Sequence, residues 1–248
     1  MASWKRYEEL RPDQLEKIVA DAPIAYWPLG LLEHHGWHLP IGFDGLKAER
    51  LCHRLAARTG GVLLPVMWWG GIGGHDVFKW THYQTPEATS SILAETADQL
   101  LSYGFRVLVL MAGHYPWQTI LNTEIPALRD EFPGALILAG TEVNICGEAV
   151  QLQGDHAACE ETSFGLALFP ELVELDALTP GRDASVWPGA KAPPLDRQHP
   201  RVEFNPAAPL YAQMGVDARR ASAARGEAGI TRLVDHLAQT IDRFLQRS

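Results

Sequence analysis

Continuously apolar runs alternate along the chain with stretches in which apolar residues recur at the spacing of a helix. Short runs of this kind, bounded by glycine or proline, are typical of strands buried on both faces of a sheet. Four of them are predicted strands: residues 24–30, 61–68, 105–113 and 135–141. The run FRVLVLMAG at 105–113 is the clearest, because it is almost wholly apolar and ends in glycine.

Helical periodicity fills the intervals between these strands. It predicts helices over 44–58, over 87–103, from about 116 onward, over 161–169, and through the tail from Ile230 to Leu245. Pro126 is predicted to kink or end the third of them. The alternation predicts an α/β fold, a three-layer α/β/α arrangement around a mostly parallel sheet. Ligands of such sheets bind beyond the carboxyl ends of the strands.

One region interrupts this alternation. Residues 180–210 carry seven prolines and no regular periodicity. Irregular segments of that length are lids, interfaces or disordered stretches. Because only one predicted helix follows it, we do not read this excursion as a domain boundary. With 248 residues, we expect 1–248 to form a single domain with a sizeable core.

The acidic balance of the chain argues against two classes of partner. There are 30 acidic and 21 basic residues, a formal net charge of −9, whereas nucleic acids and anionic membranes attract basic surfaces. The N-terminus lacks the apolar core of a secretory signal, and no apolar stretch approaches the roughly 20 residues that cross a bilayer. The cysteines at 52, 146 and 159 are too irregularly spaced for a disulfide framework. We therefore expect a cytoplasmic protein that binds neither nucleic acid nor a membrane; the charge says nothing about a small-molecule substrate.

Candidate chemistry is concentrated in GLLEHHGWHLPIGFD, residues 30–44. Glu33 and His35 follow the first predicted strand, and side chains two apart on an extended backbone point the same way. Asp44 stands at the start of the next helix. Taken alone, Asp44 is most simply a helix cap, Glu33 a surface carboxylate, and His34 and His38 packing residues. Together they favour a metal site.

Two further segments bring similar side chains to the same predicted edge of the sheet. His114 follows the strand at 105–113, and His156 and Glu161 lie just before and at the start of the helix at 161–169. Alone, Glu161 would suit a helix N-terminus and His156 would be an ordinary hydrogen-bonded histidine. Combined with the first segment, these ligand types suit zinc, manganese or iron(II).

In three places the sequence resembles the creatininase family, also called the creatinine amidohydrolase family. The opening motif of that family, approximately G-x-x-E-Q-H-G-P-H-L-P-x-x-x-D, matches residues 30–44. Its N-G-H segment corresponds to AGHY at 112–115, and its H-x-G-x-x-E-T-S segment to HAACEETS at 156–163. The resemblance covers at least residues 24–170 in matching order. It implies a creatininase-like fold and a metal-dependent hydrolase.

The resemblance also implies a ligand set for two divalent metal ions. Carried over position by position, Glu33 and His114 would hold one metal, and His35 and Glu161 the other, with Asp44 bridging the two. Two cations about 3.5–4 Å apart can deprotonate a shared water and polarise the carbonyl that it attacks.

The resemblance implies a role for His156 and a type of reaction as well. His156 matches the histidine that moves protons to the leaving nitrogen, work that a neutral imidazole does well. The predicted reaction is hydrolysis of a C–N amide bond, in a cyclic amide or a formamide. The family also implies a homo-oligomer, a homohexamer.

This chain departs from the family pattern around the predicted pocket. Trp37 stands where the family has proline, Pro116 and Trp117 follow Tyr115 where creatininase has an acidic residue, and THYQTPEAT at 81–89 replaces a small glycine-containing turn. We therefore predict that the substrate-binding residues are Trp37, His82, Tyr115 and Trp117. Creatinine should be a poor substrate, and the true one larger or more hydroxylated, because aromatic faces with a few polar groups suit a planar or hydroxylated ring.

Three other interpretations stay open. Opening of an oxidised cyclitol ring at a C–C bond is a related reaction within the family. A metal-dependent binding protein without catalysis would keep the fold and the ligands. An α/β domain without metal would make the three motifs coincidental.

Overall fold

In the computed structural model, which describes residues 3–71, 73 and 75–246, five parallel strands form one sheet in the order β1-β3-β2-β4-β5. The strands are β1 (Trp4–Arg6), β2 (Ile24–Leu29), β3 (Gly61–Leu63), β4 (Val107–Ala112) and β5 (Leu136–Thr141). The central pair, β2 and β4, is buried throughout and runs in register from Ile24 opposite Val107 to Leu29 opposite Ala112. The expected parallel sheet is confirmed.

Helices cover both faces of this sheet. They are α1 (Pro12–Asp21), α2 (Phe43–Thr59), α3 (Pro86–Ser102), α4 (Trp117–Glu131), α5 (Cys159–Leu168) and α6 (Ala223–Gln246). Alternate strand residues face opposite layers. Ala25, Trp27 and Leu29 pack with α1, α3 and α4, while Ile24 and Tyr26 pack with α2, α5 and α6. This is the predicted three-layer α/β/α arrangement.

Two local predictions differ from the structure in part, and two elements were missed. The strand expected over 61–68 ends at Leu63, since Pro65 cannot donate to a sheet ladder. The helix that Pro126 was predicted to kink or end does not end there but continues to Glu131, although the proline removes one backbone hydrogen bond inside it. The edge strand β1 and helix α1 were not predicted. Strand β1 has only three residues, two half-buried and one exposed, which is too short for a readable strand pattern.

The proline-rich excursion lies over the carboxyl edge of the sheet. It contains short 3-10 turns at Ala184–Val186, Pro188–Ala190 and Leu195–Arg197. An apolar cluster that includes Phe78, Trp187 and Tyr211 anchors it. No helix within the described ranges is long and apolar enough to cross a membrane.

Candidate metal centre

Close backbone contacts bring the start of α2 against the ends of the central strands. Gly113 follows β4 and touches the backbone of Asp44 so closely that a Cβ there would lie 1.9 Å from the Asp44 carbonyl oxygen. Gly30 follows β2 and meets Gly45 in the same way, with 2.5 Å between a built Cβ and the Gly45 Cα. Larger residues would push α2 outward. These glycines therefore place the Asp44 side chain between the segments that carry His35 and His114.

The five predicted ligands converge at this point, and all are buried. Asp44 Oδ1 lies 3.2 Å from His35 Nε2, and Asp44 Oδ2 lies 3.3 Å from His114 Nδ1. Glu33 Oε2 is 3.1 Å from His114 Nδ1, and Glu161 Oε2 is 3.6 Å from His35 Nε2. Asp44 thus spans two groups of potential ligands.

Among the residues that the structure describes, three sets of side chains have ligand atoms close enough to share one ion. The first is Glu33, Asp44 and His114, and the second is His35, Asp44 and Glu161, each with ligand atoms within 4.8 Å of one another. A third set joins Glu33 and His35 to His156. The first two share Asp44, in keeping with the bridging arrangement that the resemblance implied.

The polar atoms of the centre fit a bound cation. His35 Nε2 and Asp44 Oδ2 are buried and make no hydrogen bond of good geometry with any described residue. Burial alone would lower the pKa of His35, but nearby carboxylates, Asp44 foremost, raise it to about 9. Glu33 and Asp44 likewise outweigh burial and raise the pKa of His114 to about 10. The carboxylates attract positive charge to these imidazoles, and divalent ions would supply it with nitrogen and oxygen ligands.

Strained backbone before α5 holds Glu161 in place. Ala157 is buried with a φ of 51°, a left-handed conformation that is uncommon outside glycine. Its N–H donates to Glu161 Oε2 at 2.8 Å. The carboxylate of Asp155 accepts from the N–H groups of Glu160 at 2.7 Å and Glu161 at 3.0 Å, which fixes the first turn of α5.

His156 lies beside the ligands with a defined tautomer. Its Nε2 is 2.9 Å from the His34 carbonyl oxygen, which can only accept, so Nε2 carries the proton. Its Nδ1 is then free of hydrogen and lies 3.9 Å from Glu33 Oε2. The ring stacks on His75 with 3.6 Å between centroids. Burial and the neighbouring imidazoles of His75 and His35 hold the pKa of His156 well below its ordinary value.

A cavity of about 210 Å³ opens onto these groups. Four of the five predicted ligands, all but His35, line it together with His156, and the rest of its wall consists of His75, Tyr115, Pro116, His199, Val202 and Met214. His199 and Val202 belong to the proline-rich excursion, which therefore contributes directly to the wall. Sequence patterns did not identify His75 and His199 as site residues, because both lie in irregular segments that come close to the site only when the chain folds.

The predicted substrate-binding residues separate into two groups. Tyr115 lines the cavity, whereas Trp37, His82 and Trp117 are not among the described residues of its wall. Trp37 stacks on Tyr211, with 5.6 Å between ring centroids, and His82 is exposed. The prediction for Trp117 needs correction. Its ring is fully buried in the core, and its indole N–H donates to the Gly30 carbonyl at 3.0 Å.

Comparison with known proteins decides the family. The family model described as Creatininase: Creatinine amidohydrolase matches residues 8–241. The chain belongs to the creatininase family. The creatinine amidohydrolase of Pseudomonas putida is 28% identical over 215 residues, which cover 78% of this chain and 78% of that protein.

Another curated protein and a solved structure are similar at a comparable level. The mycofactocin precursor peptide peptidase of Mycobacterium ulcerans (strain Agy99) is 31% identical over 186 residues, 71% of this chain and 70% of that protein. The solved structure named Creatininase Mn has a TM-score of 0.72 and 25% identity, and the match covers 98% of both chains. The protein is therefore a creatininase-family hydrolase, an enzyme of the metal-dependent amidohydrolase type with the creatininase fold.

The position of Trp117 generates a test. Trp117→Phe keeps most of the ring but leaves the buried Gly30 carbonyl without its donor, so we expect the free energy of unfolding to fall by about 1–3 kcal/mol. Urea denaturation measures it. Trp69→Phe, at a residue that is 50% exposed, is the matched control and should change little. If stability is unchanged and KM rises severalfold, Trp117 contacts the substrate, as the sequence predicted.

Proposed function

We propose that this protein hydrolyses a C–N amide bond, in a cyclic amide or a formamide, with two divalent metal ions held by the buried ligand set. One observation carries the proposal: the two carboxylate oxygens of Asp44 face different histidines, His35 at 3.2 Å and His114 at 3.3 Å. A carboxylate so placed between two ligand groups is suited to bridging two cations.

Each ion would have its own terminal ligands. Glu33 and His114 would hold one, His35 and Glu161 the other, and zinc, manganese and iron(II) all accept this mixture of nitrogen and oxygen. When bound, two such ions lower the pKa of a shared water and polarise the substrate carbonyl. The five side chains remain fixed, because burial and the contacts of α2 and α5 restrict their movement.

His156 would move the proton. Its Nε2–H is committed to the His34 carbonyl, so the unprotonated Nδ1 faces the Glu33 side of the cavity. Nδ1 can accept the proton that the attacking water releases and deliver it to the departing nitrogen. The alternative role, as a third ligand beside Glu33 and His35, uses the same nitrogen, so His156 cannot fill both roles at once.

The cavity wall favours a compact polar substrate. Its volume of about 210 Å³ suits a small compound rather than an extended chain. His75, His199 and Tyr115 offer polar groups, while Val202 and Met214 offer apolar contact. These walls support a small-molecule substrate with several polar positions. The cytoplasmic location and the homohexamer implied by the resemblance stay predictions.

The bridge can be tested by metal analysis. The protein loaded with zinc or manganese and freed of excess metal should contain close to two equivalents per chain. We expect Asp44→Asn to weaken both sites, because its carboxylate serves both, and His35→Ala to weaken mainly one. Elemental analysis and titration with each metal measure this.

His236→Ala removes an imidazole from α6, far along the chain from the centre, and serves as the control. It should leave two equivalents in place. Equal losses in Asp44→Asn and His35→Ala would contradict the bridging role, and zero equivalents in the unaltered protein would remove the metal centre itself.

The role of His156 predicts a separation of binding from turnover. His156→Ala should keep both metals and lower kcat by about 10²–10⁴-fold, the usual contribution of a general acid–base group. Metal content and kcat are measured on the same preparation. If the variant loses one equivalent, His156 is a ligand and the proton transfer needs another residue.

The substrate class follows from a comparison of rates. We expect kcat/KM for creatinine to lie below that for cyclic amides or formamides with more polar substituents, at saturating metal. Oxidised cyclitols belong in the same panel, and a preference for them would replace amide hydrolysis with ring opening at a C–C bond. If creatinine is the best substrate by an order of magnitude, the hypothesis that the departures from the family pattern alter substrate specificity is wrong. A metal-loaded protein that turns over none of these compounds would support the binding-protein interpretation.

A further inference from the structure

A buried ammonium lies directly behind the proposed metal ligands. Lys47 follows Asp44 by three residues in α2, which places both on one face of the helix. Its side chain is fully buried. A charged group in such a position is costly unless it is paired and hydrogen-bonded. The partners of Lys47 therefore show what it does.

Lys47 joins a proposed metal ligand to a carboxylate outside the ligand set. Its Nζ donates to Glu161 Oε1 at 2.9 Å and to Glu142 Oε1 at 3.0 Å. Two buried carboxylates thus accept hydrogen bonds from one buried side chain. Glu142 directly follows β5 and is buried.

A third contact ties this pair to the cavity wall. The hydroxyl of Tyr115 donates to Glu142 Oε1 at 2.8 Å, so that oxygen receives both the ammonium and a phenol O–H. The Lys47 ammonium also lies 5.0 Å from the centre of the Tyr115 ring. Residues from α2, from the segment after β5 and from the segment after β4 thus fix the position of the ammonium.

The consequence falls on Glu161. Its Oε1 is occupied by Lys47, while its Oε2 accepts the Ala157 N–H and faces His35. A carboxylate whose two oxygens have different fixed partners cannot rotate freely. Only Oε2 remains directed at the ligand group of His35 and Asp44.

We propose that Lys47 is a positioning residue, held by Glu142 and Tyr115, that makes Glu161 a one-oxygen ligand of its metal ion. The proposal rests on the two-metal centre proposed above. It predicts that Lys47 acts on one of the two ions, since its contact within the ligand set is with Glu161. Groups that orient a metal ligand in this way typically change metal affinity about 10–100-fold.

The test compares two variants that differ only at Lys47. Glu142→Gln removes the partner charge but keeps an oxygen that can accept from Lys47 and Tyr115. Lys47→Met in that Glu142→Gln background then removes the ammonium from Glu161 Oε1 without leaving a charged Glu142 side chain unpaired. Competition with a chelator gives the two dissociation constants for zinc, without any substrate.

We expect Glu142→Gln to bind both ions nearly as the unaltered protein does. The double variant should bind one ion about 10–100-fold more weakly and the other unchanged. Equal weakening of both ions would indicate a general structural defect and would overturn the proposal. Unchanged affinities would also overturn it, because Lys47 would then serve only to neutralise Glu142.

Two further measurements keep the outcome clear. If the double variant does not fold, as judged by circular dichroism, Lys47→Gln in the same background takes its place and is judged by the same affinities. The unaltered protein is titrated first. Failure to bind two ions there counts against the proposed function, whereas two ions with no effect of Lys47 counts only against the positioning role.

Discussion

The contact of the Asp44 backbone with Gly113 is the constraint on which the centre depends. Only a residue without a side chain allows α2 to approach the end of β4 this closely, since a Cβ would lie 1.9 Å from the Asp44 carbonyl oxygen. Gly30 and Gly45 repeat the contact at the end of β2. The outcome is a carboxylate held between two strand ends, where a loop residue would have been free to move.

This position of Asp44 concentrates negative charge in the interior, and Lys47 is a cationic side chain that contacts this cluster. Glu33, Asp44 and Glu161 are buried together, while Lys47 supplies a permanent positive charge on one side. The negative charge of these carboxylates also raises the pKa values of His35 and His114. An acidic cluster of this kind is unfavourable by itself, so cation binding and the folded arrangement of α2 and α5 support one another.

Sequence patterns predicted the features that depend on residues close together in the chain. The central strands and helices α2 to α6 follow from periodicity, and the family motifs lead to the residues that converge. The cavity wall was harder to predict from the sequence, because His75 and His199 reach it through irregular segments whose positions depend on packing with distant parts of the chain. Trp117 shows a second limit: its position after His114 suggested the pocket, but the first turn of α4 turns its ring into the core. Lys47 could have been found, since it shares a helical face with Asp44 and Leu51.

The Lys47–Glu142 pair constrains how this sequence can change over evolutionary time. Loss of Lys47 would leave the buried Glu142 carboxylate with only the Tyr115 hydroxyl, whereas loss of Glu142 would leave Lys47 still paired with Glu161. An unpaired buried charge typically costs about 3–5 kcal/mol, a large share of the roughly 5–15 kcal/mol that stabilises an ordinary domain. Loss of Lys47 therefore selects for loss of the Glu142 charge. Although 95 residues separate them in the chain, the two positions are coupled in an ordered way: a lineage that leaves this arrangement is expected to replace Glu142 before Lys47.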